Sequence, residues 1–305
     1  MDGILIIDKP AGITSHDVVY RVRRIFKTKR VGHTGTLDPF ATGVMVVLVG
    51  RATRLAQFLD KDEKEYEAVV RFGFETDTGD ITGLRIADCG SRIEEMGARL
   101  VSIDWEPLLE QFRGRIEQTP PMYSAKKVAG KKLYELARKG ETVERKAASV
   151  TISKLEIKTP VGPTGGGCAT WDLGLVVRCS AGTYIRTLAE DIGRRTGVGA
   201  HLAELRRTAA GRFTIDQSTT LDRLADNPEP ADVLIPMNEA VSHLPAFTLR
   251  EDRVAKTRNG MSTRVFETGL ADREVVRMID ESGDLLAIGY FDAAENVIQP
   301  KAVLV

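Results

Sequence analysis

Residues 32–44 read GHTGTLDPFATGV and place one carboxylate, Asp38, among three threonines, three glycines and a histidine. A plain turn around an Asp-Pro step needs only one or two such residues. The stretch runs directly into VMVVLVG, which is apolar throughout. A carboxylate at the edge of such a strand lies in a low-dielectric setting, where its pKa rises unless a cation pairs with it. To act as a nucleophile it must stay ionised. The chemistry this stretch suits is therefore nucleophilic attack by Asp38, with a buried cation supplied from elsewhere in the chain. Thr34, Thr36 and Thr42 offer hydroxyls, and Gly32, Gly35 and Gly43 let backbone N–H groups come close to a ligand. The best candidate cation is Arg186, in CSAGTYIRTL at 179–188, beside Ile185 near the start of a helical pattern. Taken alone, an arginine there fits the surface equally well.

The elements that would position these groups are legible in outline. GILIIDKPAG reads as a short buried strand ending in a Lys-Pro turn, and Ser15 is expected to cap a helix whose apolar positions are Val18, Val19, Val22, Ile25 and Phe26. VMVVLVG reads as a buried strand, EYEAVVRFGF as an alternating one, and ETDTGDITG as a polar, glycine-rich turn. Helical patterns follow near 91–100 and 105–113. Two strands, SVTISKLEIKT and ATWDLGLVVRCS, precede an amphipathic helix in GTYIRTLAEDIGRRTG. Strands and helices mix without a regular βαβ period, which predicts an α+β (mixed α/β) core. Residues 117–146, with paired prolines and basic residues interleaved with Tyr123 and Tyr134, read as a cationic excursion from that core. The four-proline stretch around 225–246 reads as a linker, and the tail from about Phe247 as a small β-barrel.

Composition bounds the function. At 305 residues with 42% hydrophobic and 28% charged residues, the chain can build a proper core and is expected to hold two domains. No run approaches the roughly 18 apolar residues of a membrane helix, and MDGILIIDKP lacks a signal peptide's basic start. A cytoplasmic protein without membrane association is expected. Cys89, Cys168 and Cys179 form no C-x-x-C pair, and His16, His33, His201 and His243 form no metal-binding spacing. No metal or other cofactor is therefore expected. The formal net charge is zero, but its distribution is uneven. Residues 18–37 carry six basic and no acidic side chains, residues 121–146 eight and three, and residues 178–212 seven and three. Such segregation is what a polyanion-binding face would look like.

The segments just quoted resemble the TruB-type tRNA pseudouridine synthases, which act on uridine 55 in the T arm of tRNA. GHTGTLDPFATGV is very similar to that family's catalytic loop, and GILIIDKPAGITSHDVV to its N-terminal motif. KEYEAVVRFGFETDTGD resembles its tyrosine motif, QTPPMYSAKKVAGKKLYELARKG its RNA-gripping thumb, and CSAGTYIRTLAEDIG and AHLAELRRTAAG its arginine and leucine motifs. The matches are collinear over most of residues 1–215; RVAKTRNGMSTRV resembles, more weakly, the start of a PUA-like RNA-binding domain. The resemblance implies a pseudouridine synthase catalytic domain over 1–243 with a thumb insertion at about 117–146, then a PUA-like β-barrel over 244–305. It implies that Asp38 is the nucleophile, that Arg186 pairs with it, and that Tyr66 contacts the target uracil; the base that removes the C5 proton is left open between Asp38 itself and Asp38 with Tyr66 as a candidate helper. Tyr184 would also contact the uracil, Leu205 would pack against it, and His33 would press into the T loop. The expected partner is tRNA, with no obligate protein partner and a monomeric chain.

Read without the family, Tyr66 fits a half-buried sheet position, Tyr184 and Leu205 fit a core, and His33 fits a hydrogen-bonded loop. Three rival functions are weighed against these features. A non-catalytic tRNA-binding or tRNA-folding protein would keep the basic windows but has no need of Asp38 and Arg186. A guide-RNA-dependent synthase of related fold would need protein partners, whereas the thumb segment suggests stand-alone binding. A metal-dependent phosphatase using Asp38 would want further carboxylates in the loop, and 32–44 holds none.

Overall fold

The structure, a computed structural model, describes residues 1–88, 93–124, 126–128, 130–137, 139–141, 143–164, 170–266 and 268–304. Cys89, Cys168 and parts of the 117–146 excursion lie outside the described residues. Its centre is a mixed sheet. The apolar run Gly3–Lys9 forms β1 and Thr42–Val49 forms β3, paired antiparallel from Gly3–Val49 to Lys9–Gly43. Both faces of β3 are covered, so Gly43–Val49 is buried throughout and shows no alternation. Strand β2, Val31–Thr34, also pairs with β3. Strand β4, Lys64–Phe72, alternates as its sequence does, burying Lys64, Tyr66, Ala68, Val70 and Phe72.

Four further strands complete the part that matters for the site: β5, Gly114–Gln118; β6, Ala148–Thr164; β7, Thr170–Cys179; and β8, Ala200–Ala210. The sheet order is β1-β3-β8-β4-β7-β6-β5. Strand β8 is antiparallel to β4 and meets β3, in parallel, only at Arg206–Thr42 and Arg207–Gly43. This short seam closes the base of the 35–41 loop against the strand that carries Leu205. Its geometry depends on Gly43, whose φ is +102° and whose added Cβ would lie 2.2 Å from the Arg207 carbonyl oxygen. Gly43→Ala is expected to cost at least about 2 kcal/mol, from left-handed strain and the clash together. Thermal unfolding beside a control substitution on an exposed loop would measure it.

Helix α1, Ser15–Ile25, buries Val18, Val19 and Val22. Its N-cap is Thr14, not Ser15: Thr14 and Asp17 form a reciprocal capping box. Ser15 is the first helical residue, and its hydroxyl bridges to the loop, taking the Leu37 N–H at 2.9 Å and facing the Leu37 carbonyl at 3.1 Å. Helix α2, Ile185–Thr196, turns Ile185, Leu188, Ala189 and Ile192 into the core and stops at Gly197, φ +71°.

The 225–246 stretch is not a free linker. Ile4 and Ile235 exchange backbone hydrogen bonds at 2.9 and 2.8 Å, so the segment fastens to β1. Prolines break its periodicity but leave Ile235 free to pair. Beyond it, Ala246–Thr248, Val275–Ile279, Leu285–Asp292, Val297–Val303 and Thr263–Arg264 form, in that order, a five-stranded sheet. Leu285, Ile288 and Leu304 share one apolar cluster with Ile4, Val44 and Leu48, so this sheet packs directly on the first one. Among the described residues, no helix is long and apolar enough to cross a membrane.

Candidate active site

The 35–41 loop is nailed at both ends by burial. Leu37 and Ala41 enter the core at 3% and 0% exposure, which leaves Asp38 between them at the mouth of a cavity. Lys9, itself fully buried, donates from Nζ to the carbonyls of Pro39 at 3.2 Å and Ala41 at 2.7 Å. Gly12 N–H reaches the Pro39 carbonyl at 2.8 Å, and Gly35 N–H reaches Asp60 at 3.0 Å. A backbone held at this many points fixes the carboxylate it carries.

Arg186, in the first turn of α2, meets Asp38 through two nitrogens, Nε–Oδ2 at 2.9 Å and Nη2–Oδ1 at 3.3 Å. The arginine side chain is 5% exposed and the aspartate 32%, so the pair is buried on the arginine side and open to the cavity on the other. The guanidinium also donates to the carbonyls of Thr78 at 2.9 Å and Tyr123 at 2.7 Å, and stands 3.7 Å from Asp80. Burial pushes the Asp38 carboxyl up, and Asp80 adds to this; the Arg186 charge and hydrogen bond, with Lys9, pull it back. Asp80, 4% exposed, is held by the hydroxyls of Thr78 and Thr82 and by the Thr82 N–H.

Tyr66 from β4, Leu205 from β8, and Tyr184 at the N-cap of α2 line the same cavity as Asp38 and Arg186. Tyr184 is positioned by Gln118, which takes its N–H at 3.0 Å and donates to its carbonyl at 3.3 Å. Burial pushes the Tyr66 phenol up, opposed by Arg207. His33 is not on this wall. It lines an adjoining depression that shares Gly35, Thr36 and Asp60 with the cavity, and packs edge-on against His16 at 6.0 Å. The hydroxyls are divided: Thr36 lines the cavity, whereas Thr34 is buried and Thr42 sits 3.3 Å from Arg206.

Comparison with known proteins fits this arrangement to a family. Residues 23–185 match the model of the TruB family pseudouridylate synthase N-terminal domain, and residues 186–242 that of the tRNA pseudouridylate synthase B C-terminal domain. The chain belongs to the TruB family of pseudouridylate synthases. A tRNA pseudouridine synthase B of Solibacter usitatus is 42% identical with full coverage of both chains. That of Bacillus subtilis is 38% identical over 100% of this chain and 98% of its own. A solved structure, a Cbf5-Nop10-Gar1 complex, superposes with a TM-score of 0.70 at 26% identity, covering 99% of this chain and 85% of that one. The fold is that of the pseudouridine synthases.

Within this TruB-family chain, four buried charges beside the cavity carry no clear sequence signal: Lys9, Lys64, Asp80 and Arg207. A lysine at the end of an apolar strand and an aspartate in a threonine-rich turn were the available signals. The structure also reassigns the basic window 178–212. Arg186 and Arg207 are buried, Arg178 pairs with Glu65, Arg194 with Asp191, and Arg206 with Asp8 at 2.8 Å. Two of its seven arginines are thus spent inside the protein, and three of the others are paired with carboxylates at the surface. The window on α1 differs, since Arg21, Arg23, Arg24 and Lys27 are exposed.

Burial depresses the Lys9 ammonium to about 8, against the opposing pull of Asp38. A lysine whose folded pKa lies below its unfolded value of 10.5 binds fewer protons when folded, so stability rises with pH between about 8 and 10.5. The wild type is therefore expected to gain stability relative to Lys9→Met across that window. Below pH 8 the variant should still be the weaker, because it leaves the Pro39 and Ala41 carbonyls without their donor, at about 1–3 kcal/mol. Urea unfolding of both proteins at pH 7.5 and 10 tests the sign.

Proposed function

We propose that this chain converts uridine 55 in the T arm of tRNA to pseudouridine, with Asp38 as nucleophile. The observation that carries the reading is the two-pronged Asp38–Arg186 pair lining a cavity together with Tyr66 and Leu205. A uridine inside a folded arm must be flipped out to meet a carboxylate there, at a cost of a few kcal/mol. Tyr66, Tyr184 and Leu205 give the extruded base its compensating contacts; stacking of this kind is worth roughly 1–3 kcal/mol per base. Arg186 keeps Asp38 ionised in a nearly dry site. His33, at the adjoining depression, presses into the T loop, and the exposed basic face of α1 and the 117–146 thumb follow the phosphates. The 244–305 region acts as a PUA-like RNA-binding domain, and the enzyme works in the cytoplasm as a monomer, without metal or other cofactor.

The relatives matched along their whole length bear tRNA synthase names, which supports tRNA over a guide-RNA-directed target. Tritium release from T-arm RNA labelled at C5 of its uridines tests this directly, with the purified chain and no metal added. Release without any other protein or RNA is expected. Tight binding without release would leave a tRNA-binding protein.

A further inference from the structure

Arg207 is the largest fully buried side chain, 1% exposed, and among the described residues no carboxylate pairs with it. Burying a cation without a counter-ion is costly. Its donors reach backbone instead: Nε to the Val44 carbonyl at 2.6 Å and Nη2 to the Gly35 carbonyl at 3.0 Å, one at each end of the Asp38 loop. Gly35, φ +64°, leaves room for it; a Cβ there would stand 3.3 Å from Nη1. Bracing two carbonyls requires hydrogen-bond donors but not a charge. The charge calls for an anion that exists only during the reaction. Arg207 lines the same cavity as Asp38, and in the sheet register it lies directly opposite Tyr66.

The reaction has such an anion. When the N1–C1′ bond breaks, its electron pair stays on uracil N1; when C5 bonds to C1′, the C5 proton must leave. One proton therefore moves, in sum, from C5 to N1. We infer that Arg207 is a positioning residue that makes Tyr66 the carrier of that proton, an inference that rests on the function proposed above. The guanidinium, on the residue facing Tyr66 across the sheet, adjoins the phenol in the cavity both line, and the phenol O–H is free to point into that cavity. As the base departs, the Tyr66 O–H bond breaks and N1–H forms, leaving a phenolate beside the guanidinium. Asp38 holds C1′ as an ester while the uracil turns; C5 then bonds to C1′ as the C1′–O bond to Asp38 breaks and frees its carboxylate, and the phenolate takes the C5 proton, which restores the phenol and the aromatic ring. No outside acid, base or redox partner is needed. Burial, with Cys179 and Asp38, raises the phenol's pKa, and Arg207 opposes this by its charge and by a hydrogen bond.

The test is single-turnover pseudouridine formation on full-length tRNA carrying protium or deuterium at C5 of the target, with tRNA affinity and melting temperature measured alongside. Arg207→Gln is expected to slow the reaction by about 100-fold, the scale of a lost acid–base contribution, and to show a C5 isotope effect larger than that of the wild type. Arg207→Lys, which keeps the charge, should lose only about tenfold, and in a Tyr66→Phe background it should cost nothing further. Rates that fall only in step with tRNA affinity or melting temperature, with the isotope effect unmoved, would make Arg207 a structural brace and overturn the inference. If Arg207→Gln does not fold, the cycle between Tyr66→Phe and Arg207→Lys decides: independent, multiplying losses overturn it, and a loss that vanishes without the phenol upholds it. A wild type that makes no pseudouridine removes the proposed function and this inference together, whereas an active wild type with the overturning pattern removes this inference alone.

Discussion

Asp38→Asn is expected to lower pseudouridine formation by a factor on the order of 10⁴ or more, the scale seen when a nucleophile is removed, while tRNA affinity changes less than about threefold. The amide keeps the shape of the carboxylate but has no charge with which to attack. Little else depends on that charge. The loop is held by Leu37 and Ala41 in the core, by Ser15, and by Lys9, none of which bonds to the Asp38 side chain. Arg186 retains the Thr78 and Tyr123 carbonyls and the neighbouring Asp80. The stability argument has a definite sign. Burial raises the Asp38 pKa, so the folded state binds its proton more tightly than the unfolded chain. Stability therefore falls as pH rises from about 3.8 through the raised value, and above that window the ionised group disfavours folding. Asparagine removes this term, and the variant should melt within about 3 °C of the wild type at neutral pH. Mass-spectrometric counting of pseudouridine after one turnover, with filter binding and calorimetry, checks all three expectations. Retention of activity to within tenfold would exclude Asp38 as the nucleophile.

How far the sequence displays this site depends on what kind of fact is asked of it. Strands β1, β3 and β4 and the two helices show in the sequence because each is governed by local periodicity, and the Asp38 loop shows because its residue types are so unlike an ordinary turn. The glycines of that loop are another matter. Gly35 and Gly43 read as openings toward a ligand, yet in the fold both leave room for Arg207, through its guanidinium and its backbone respectively. Nothing near residue 207 announces this, because β8 meets β3 at only two residue pairs and 163 positions separate Val44 from Arg207. Lys9 and Asp80 are hidden for the same reason: whether a charge is buried depends on which strand lies beside it, a tertiary fact. Arginines 178, 194 and 206 look like a nucleic-acid face in a charge count because their carboxylate partners lie mostly on other strands and helix turns. The cap of α1 falls on Thr14, one residue before the expected Ser15, because serine and threonine are both good caps and only the contact of Ser15 with Leu37 separates the two.

Arg186→Gln should damage both rate and fold, but tRNA binding much less. The guanidinium is 5% exposed and sits between two carboxylates, Asp38 at 2.9 Å and Asp80 at 3.7 Å. Glutamine removes the cation and leaves both acids in a low-dielectric pocket, with Lys9 the remaining cation acting on Asp38. Breaking a buried pair from one side costs roughly 3–5 kcal/mol. Asp38 can relieve part of that cost by holding a proton, which ends its use as a nucleophile; the rate should fall by about 10³-fold or more. Because Asp38, without Arg186 to oppose the effect of burial, then binds its proton still more tightly in the folded state than in the unfolded one, the stability of the variant must fall as pH rises. Its deficit against the wild type should accordingly be larger at pH 8 than at pH 5, which urea unfolding at the two values measures. Acid should restore the fold without restoring the rate, since the proton that relieves the buried charge is the one that silences Asp38. On the proposed reading the tRNA phosphates are followed by α1 and the thumb, so affinity should drop by less than about tenfold, the part owed to the lost Tyr123 contact. Equal losses of rate and affinity would mean that Arg186 grips the RNA and does not tune the carboxylate.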